Sequence, residues 1–313
     1  MPSRPVALFR RSARRAAAAF ARVADRPRGR SQDNVPAGYD TFYETAAAQS
    51  VIDYAAQRFA EPELSYFRTH AGRFAFLCEV IHRLPVRGRA LDAGGLPETR
   101  ELFETRTDLT SVELSPDVDL EMESWADAAG VGRYELVIFS EVIEHFNADP
   151  ARALHEINRC LSPGGYLVLT TVNIGSELGL YNLARGHAPY AMSNLYGERT
   201  DRHQREYAPT ELQLLVAAHG FETWATTVNV YSDAAVKREA RAWCASRGLD
   251  ARMHGDTNLV IARKVDESSG PRWLHPVYHS SVAVNRANTV PPDVAERLRD
   301  GAPPGLQAFF PPA

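Results

Sequence analysis

The chain has 313 residues, of which 44% are hydrophobic and 24% are charged, as expected for a soluble globular protein with one large domain. Its net charge of −4 combines +8 over residues 1–30, where nine arginines face one acid (Asp25), with −12 over the remainder. An acidic body excludes an obvious nucleic-acid binder, because neutralising phosphates requires a basic face. No apolar run reaches about 18 residues, so no transmembrane helix is expected.

Residues 1–35 are predicted to form a flexible, arginine-rich arm. The alternative is a basic helix that lies on an anionic membrane surface. We therefore expect a cytoplasmic protein, with peripheral contact to the inner face of the membrane as the alternative. Cys78, Cys160 and Cys244 lie far apart in apolar surroundings and are predicted to be buried free thiols of a reducing compartment.

Residues 36–88 are predicted to form a helical cover. Apolar residues recur at steps of three and four in Ala46–Phe59 and in Tyr66–Leu84, which is the periodicity of amphipathic helices. Pro62 separates the two helices. Pro85 ends the second, because proline lacks the N–H that a continuing helix needs.

A strand, a tight turn and a helix are predicted after the helical cover. The strand Arg89–Ala93 runs into Gly94 and Gly95, and a helix begins near Glu98. Glycine allows φ > 0 and lets a ligand approach the backbone, while a helix N-terminus offers unpaired N–H groups. By itself this corner fits a ligand site and a simple connection equally well.

Strands and helices alternate from this corner onward, which is the pattern of an α/β sheet with helical crossovers. Five further strands are predicted, with Val118–Met122 as an additional possible strand. The five are Ser111–Leu114, Tyr134–Ser140, Tyr166–Asn173, Phe221–Tyr231 and Asn258–Lys264. The predicted helices are Asn147–Leu161, Thr210–His219, Ala234–Arg247 and Val294–Arg299.

The alternation predicts one α/β domain over residues 89–265. Within it, residues 174–208 form a long irregular stretch that exceeds a simple connection and is predicted to be a substrate lid. Residues 266–313 are rich in proline and are predicted to form a tail.

Five separated motifs support one another. They are Leu91–Gly95 after the first strand, Glu113 near the end of the second, Tyr134–Phe146 as a buried strand with its loop, Leu154–Gly165 as a helix and turn, and Arg205–Tyr207 before a helix. Together they resemble the class I S-adenosylmethionine-dependent methyltransferase family over roughly residues 65–265. The resemblance implies a Rossmann-like sheet of seven strands, mostly parallel with an antiparallel last strand, and helices on both faces.

The resemblance also implies the cofactor, S-adenosyl-L-methionine, with S-adenosyl-L-homocysteine as the product. The first motif would hold its methionine part, and Glu113 would accept hydrogen bonds from both ribose hydroxyls. The predicted cofactor-binding residues are Asp92, Ala93, Gly94, Gly95, Glu113, Leu114, Glu123, Trp125, Ser140 and Glu141.

Two features depart from the family pattern. Leu96 stands where a glycine is common, and the interval between Glu113 and Tyr134 is too short for a helix and a full strand. Trp125, in that interval, is predicted either to stack on adenine or to fill the space of the missing helix.

A nicotinamide-binding protein is the main competing interpretation, and it is disfavoured because no G-x-G-x-x-G follows the first strand.

Three residues are candidates for catalysis, because a hydroxyl acceptor needs a general base. Glu144 and His145 follow a buried strand, and His203 lies in the predicted lid; the alternative for His145 is packing within its loop. No metal is expected, since no familiar metal-ligand spacing occurs. The predicted acceptor-binding residues are Tyr190, Tyr196, Arg202, Arg205, Glu206 and Tyr207. The last three could instead secure the start of the following helix.

The sequence therefore predicts an S-adenosylmethionine-dependent methyltransferase that acts on an oxygen of a saccharide, a glycan or a similar polar metabolite. Nucleic acid is not an expected partner, and the sequence indicates no oligomeric state. The alternative is a non-catalytic methyltransferase-like module that regulates a biosynthetic complex. Leu96 and the shortened cofactor half motivate that alternative.

Overall fold

The computed structural model describes residues 45–115, 119–147, 149–189, 203–231, 235–249, 251–272 and 290–310. The predicted basic arm and the acceptor candidates Tyr190, Tyr196 and Arg202 lie outside the described residues.

Six strands of the described chain form one sheet in the order β2-β1-β3-β4-β6-β5. Strands β1 to β4 are mutually parallel, and β6 runs antiparallel to its neighbours β4 and β5. The strands are β1 (Arg89–Asp92), β2 (Ser111–Leu114), β3 (Tyr134–Ser140), β4 (Leu161–Val172), β5 (Phe221–Val228) and β6 (Thr257–Lys264).

The predicted Rossmann-like class and the antiparallel last strand are confirmed, and the described residues form six strands where seven were expected. Residues 119–122 form a turn instead of the strand considered at Val118–Met122, and Met122 is 61% exposed. The turn leads into a helix at Trp125–Ala129. Turn and helix take up residues 119–129, so the described part of the interval before β3 holds no further strand.

The helices agree with the predicted periodicities to within a few residues, and two were not predicted. The unpredicted helices are α4 (Trp125–Ala129) and α6 (Glu177–Ala184), the latter inside the stretch expected to be irregular. The others are α1 (Ala46–Ala56), α2 (Glu63–Arg83), α3 (Pro97–Arg106), α5 (Pro150–Cys160), α7 (Pro209–Ala217), α8 (Ala235–Ala245) and α9 (Pro292–Ala295).

The sheet carries a hydrophobic core on each face, because successive side chains of a strand point to opposite sides. In β3, Leu136 and Ile138 pack in one core together with apolar residues of α1, α2 and α3. Val137 and Phe139, at the alternate positions, pack in the second core with α4, α5 and α7. Both faces are therefore covered, as a parallel sheet requires.

The carboxyl ends of β1, β3 and β4 meet at one edge of the sheet, since these strands are parallel. From β1 the chain continues outward to β2, and then crosses to β3 on the other side of β1. The crevice at such a reversal of strand order is the usual ligand position in open α/β sheets. This edge is where a site is expected.

Leu169→Ala should lower the free energy of unfolding by about 2–5 kcal/mol, because it leaves a cavity in the second core. Leu169 is fully buried in β4, whereas Leu183 in α6 is 57% exposed. The same substitution at Leu183 should change stability by less than about 0.5 kcal/mol. Urea unfolding of both variants measures the difference, and equal effects would contradict the described core.

Candidate active site

The loop after β1 is fixed by close contacts that leave no space for side chains at two glycines. Gly94 has φ 90°, and a Cβ placed on it would lie 2.7 Å from a methyl carbon of Val142 in the loop after β3. A Cβ on Gly95 would lie 1.8 Å from Oδ2 of Asp92. The Asp92 carboxyl thus folds over its own loop, where it accepts a hydrogen bond of 2.9 Å from Thr99.

Leu96 occupies its unconventional position without backbone strain. Its φ of −101° and ψ of 154° are those of extended chain, which any residue adopts. Its N–H donates to Thr99 Oγ1 over 3.0 Å, so the residue begins helix α3 and leads into Pro97 at the first helical position. A glycine is therefore not required there.

Glu141 follows β3 in a left-handed conformation with φ 55°, which is uncommon for a residue with a side chain. Its N–H donates to the carbonyl of Thr170 in β4, which fixes the backbone. Tyr231 Oη donates to one carboxylate oxygen over 3.4 Å. The other oxygen, Oε1, is buried and has no hydrogen-bond partner among the described residues.

Arg73 of α2 reaches the same edge of the sheet and is 4% exposed. It donates to Tyr66 Oη over 2.8 Å, and its Nη1 lies 4.0 Å from the Glu141 carboxylate. Burial alone would lower its pKa, but Tyr66, Tyr231 and Glu141 outweigh burial, so the pKa of Arg73 is raised and the side chain stays charged. Its Nε is buried without a partner in the described chain.

Glu144, His145 and His203 form a compact cluster beside this pair. One potential ligand atom from each lies within 4.8 Å of the other two. Thr171 donates to Glu144 Oε2 over 2.7 Å, and the two imidazole rings meet edge to face with their centroids 5.0 Å apart. Nδ1 of His203 lies 2.7 Å from Glu206 Oε1, and both side chains are buried.

The backbone explains how two distant segments meet in this cluster. Glu144 and His145 belong to one 3-10 turn after β3, Ile143–His145. The carbonyl of Glu144 accepts hydrogen bonds from the N–H groups of Gln204 and Arg205, at 2.7 and 3.3 Å. These two bonds hold the segment that carries His203 against the turn.

Burial changes the acidity of the cluster. It raises the pKa of Asp92 and of Glu141 to about 7 each; Glu144 adds to the shift of Glu141, and Arg73 opposes both shifts. The pKa of Glu144 is also raised, chiefly by burial. For His203, burial lowers the pKa, but the bond to Glu206 and the nearby carboxylates outweigh it, so the net direction is upward. Such shifts are typical of functional sites.

A family model described as a methyltransferase domain matches residues 69–226, about half of the chain. This match covers β1 to β4, most of β5 and the cluster of Glu144, His145 and His203, whereas β6 lies outside it. The chain belongs to this methyltransferase domain family. The predictions of a class I S-adenosylmethionine-dependent methyltransferase and of an enzyme are thereby confirmed.

Several solved methyltransferase structures resemble this chain at low sequence identity. A SAM-dependent methyltransferase from Archaeoglobus fulgidus is 14% identical, with 61% of this chain and 93% of that chain covered and a TM-score of 0.43. A possible histamine N-methyltransferase from Thermotoga maritima is 17% identical, with 69% and 99% covered and a TM-score of 0.37.

A third structure is phosphoethanolamine N-methyltransferase 2 of Haemonchus contortus in complex with S-adenosyl-L-methionine. It is 12% identical, with 74% of this chain and 61% of that chain covered and a TM-score of 0.41. No curated protein matches the sequence. Among the described helices, none is long and apolar enough to cross a membrane.

Glu113, predicted to hold the ribose, is already bound by three donors. Its carboxylate pairs with Arg89 and with Arg133, the latter at 3.3 Å, and accepts 2.7 Å from Tyr134 Oη. A ribose would have to compete with these donors. The role of Glu113 in cofactor binding stays a prediction.

Of the other predicted cofactor residues, three lie on or next to strands of the sheet and two lie in the interval before β3. Ala93 is buried after β1, Leu114 is half-buried in β2, and Ser140 shares a hydrogen bond of 2.8 Å with Thr170. Glu123 is exposed and pairs with Arg152, and Trp125 is 2% exposed within the second core. A ring so deeply packed offers little surface to adenine, so its position matches the packing alternative.

The three residues of the segment Arg205–Tyr207 have different partners. Arg205 pairs with Glu211, whose carboxylate also accepts from the N–H of Ala208, so Arg205 supports the start of α7. Tyr207 is 2% exposed. Glu206 instead turns toward His203. The helix-start alternative thus describes Arg205, while Glu206 belongs to the polar cluster.

Helix α2 contributes to the site although the sequence motifs did not indicate it. Tyr66, His70 and Arg73 stand at positions i, i+4 and i+7 of a helix that otherwise buries apolar residues. This spacing places them on one helix face. A polar stripe inside an apolar helix is the signal that could have identified Arg73.

Asp92→Asn should flatten the pH dependence of stability between about pH 4 and 7. The carboxyl has a pKa of 3.8 when unperturbed and about 7 in the fold, so the folded state keeps its proton through this range. Wild-type stability therefore falls as the pH rises through the window, by on the order of 4 kcal/mol from this group. Asparagine cannot ionise and removes this loss.

Urea unfolding at several pH values measures the effect. The difference in unfolding free energy should shift in favour of Asp92→Asn as the pH rises from 4 to 7. Asp119→Asn, at an exposed position, is the control for the substitution itself. Parallel curves for Asp92→Asn and wild type would contradict the buried, protonated carboxyl.

Proposed function

We propose that this methyltransferase transfers a methyl group to an oxygen of a saccharide or of a similar polar metabolite. The observation that carries the proposal is the buried cluster of Glu144, His145 and His203 at the carboxyl edge of the sheet. A hydroxyl acceptor must lose its proton during transfer, and such a cluster supplies groups that accept protons. The orientation of His203 by Glu206 supports this role.

The residues at the edge of the sheet fit S-adenosylmethionine. Arg73 Nε and Glu141 Oε1 are buried polar atoms without a described partner, one positive and one negative. They suit the carboxylate and the ammonium of an amino-acid group, with the Asp92–Gly95 loop beside them. The bound cofactor supplies an electrophilic methyl group on a sulfonium, so the protein must chiefly position the acceptor.

His203 is the residue best placed to take the acceptor's proton. Glu206 fixes one ring nitrogen, which orients the ring and favours its protonated form. Glu144 and His145 border the same space. As the acceptor oxygen gains the methyl group, its proton passes to His203, while the bond between sulfur and the methyl carbon breaks and sulfur keeps the electron pair.

The acceptor class follows from the polarity of the site. Imidazole, carboxylate and hydroxyl groups form hydrogen bonds in several directions, which suits a ligand that carries several hydroxyl groups. The stretch 174–208, predicted to be a substrate lid, contains several aromatic, Asn and Arg residues, which are residue types that bind sugars. A saccharide satisfies both features.

Arg73→Met should weaken the binding of S-adenosylhomocysteine by on the order of 2–3 kcal/mol, or roughly 30- to 150-fold, because a charged hydrogen bond is lost. Isothermal titration measures this. Arg83→Met on the same helix, where the guanidinium pairs with exposed Glu79, should leave the affinity unchanged. Equal affinities for the two variants, or no binding to wild type, would contradict the proposed cofactor site.

His203→Ala should reduce turnover by roughly 10²- to 10⁴-fold while S-adenosylhomocysteine still binds. The measurement is S-adenosylhomocysteine formation with a panel of mono- and oligosaccharides. Since the base works unprotonated and the pKa of His203 is raised, the wild-type rate should fall as the pH drops through that raised pKa. The variant should lack this fall.

His155→Ala serves as the control, since His155 also neighbours a glutamate but lies outside the cluster. Its rate and pH profile should match those of wild type. A wild-type rate in His203→Ala would remove His203 from the reaction.

A further inference from the structure

The cluster of Glu144, His145 and His203 has the composition of a metal site. It offers two imidazoles and one carboxylate. Divalent transition metals such as Mn²⁺, Fe²⁺ and Zn²⁺ bind this donor set, whereas Mg²⁺ and Ca²⁺ prefer ligands that are all oxygen. Glu144 and His203 are buried and His145 is half-buried, so the three donors are not an exposed acidic patch. They come from two segments that the backbone holds together.

The distances fit one ion. Ligand atoms about 2.1 Å from a common metal lie no more than roughly 4 Å apart. The three donors lie within 4.8 Å of one another, and Nε2 of His145 is 3.9 Å from Glu144 Oε1. Closing by less than about 1 Å would bring all three onto one ion.

In Glu144 and His203, the oxygen or nitrogen that would not face the ion is already hydrogen-bonded, as is usual for the ligands of a metal. Thr171 donates to Glu144 Oε2, which leaves Oε1 on the side of His145. Glu206 binds Nδ1 of His203, which fixes the ring and leaves Nε2 for another partner. A carboxylate behind a histidine ligand is the common arrangement that orients the ring and increases its basicity.

The surrounding charge also favours a cation. Glu141 and Glu206 are further carboxylates near the cluster, and Glu141 Oε1 is buried without a described hydrogen-bond partner. Its side chain is nine-tenths buried. Buried carboxylates are costly unless positive charge compensates them. Arg73 approaches Glu141, but the nearest pair of atoms is 4.0 Å apart.

We propose that Glu144, His145 and His203 bind one divalent transition-metal ion whose open coordination positions take the acceptor hydroxyl. Three protein ligands and open positions are the pattern of catalytic rather than structural sites. The inference deepens the proposed oxygen methylation and rests on it, because the ion activates the same acceptor oxygen. With the ion bound, His203 would be a ligand and not the base: the ion would make the acceptor hydroxyl more acidic, and its proton would pass to solvent water as the oxygen gains the methyl group.

The sequence led to the expectation that no metal is bound. That expectation relied on the spacing of residues along the chain. Glu144 and His145 are adjacent, and His203 is far from them in sequence, so no familiar short motif forms. Hydrogen bonds from Gln204 and Arg205 to the Glu144 carbonyl bring the third donor to the other two.

Metal binding by the full chain tests the proposal. Protein dialysed against a chelator is titrated with Mn²⁺, and the free ion is measured by electron paramagnetic resonance; Zn²⁺ is then added as a competitor. We expect one Mn²⁺ per chain, displaced by Zn²⁺. Glu144→Gln and the half-buried His145→Gln should each weaken binding by more than about tenfold, and His155→Ala should not.

Binding of S-adenosylhomocysteine by each variant shows that it remains folded. Mn²⁺ binding that is absent, or that is unchanged in both Glu144→Gln and His145→Gln, would overturn the metal site. In that case, methyl transfer by chelator-treated protein would leave the proposed function standing, with His203 as its base. A rate that is lost on chelation and restored by Mn²⁺ supports the metal site and the function together.

Discussion

The structure depends on the burial of several carboxyl groups at one edge of the sheet. Asp92, Glu141, Glu144 and Glu206 are all largely withdrawn from water, and burial of charge is unfavourable unless partners compensate for it. The partners come from elements far apart in the chain: Arg73 from α2, Thr171 from β4, and His203 from the segment before α7. Helix α2, which precedes β1, is therefore part of the site, and not only a cover for the sheet.

The parallel sheet explains why these groups meet. Parallel strands end at the same edge of the sheet, so Asp92 at the end of β1 and Glu141 after β3 lie at one edge although they are 49 positions apart in the sequence. The segment before α7 is fixed to the same edge by its backbone. Tyr207 bridges to Asn173 at the end of β4, and its carbonyl accepts 2.7 Å from Asn258 of β6. Position in the fold, rather than local sequence, sets the composition of the site.

Sequence patterns predicted the parts of this structure that depend on local order. Periodicity gave α1, α2 and most strands, and the glycine pair after β1 identified the turn against Val142. Contacts across the chain were beyond such patterns. Arg73 lies in a helix that reads as apolar, and the three donors that occupy Glu113 come from two different segments. The sequence likewise did not indicate that Glu144 and His203 are close together, because residues so far apart in the chain form no periodic pattern.

Local rules are broken at the edge of the sheet where function is proposed. Glu141 adopts a positive φ that costs on the order of 1 kcal/mol or more, and Arg73 and Glu141 each keep a buried polar atom without a described partner. Leu96, the residue that departs most from the family pattern, obeys the local rules and has ordinary extended geometry. Backbone strain and buried polar atoms without a partner thus occur together at Glu141 and Arg73. A bound ligand that forms hydrogen bonds to these atoms would stabilise the folded protein. The departure at Leu96 is, by contrast, a change that the helix start absorbs.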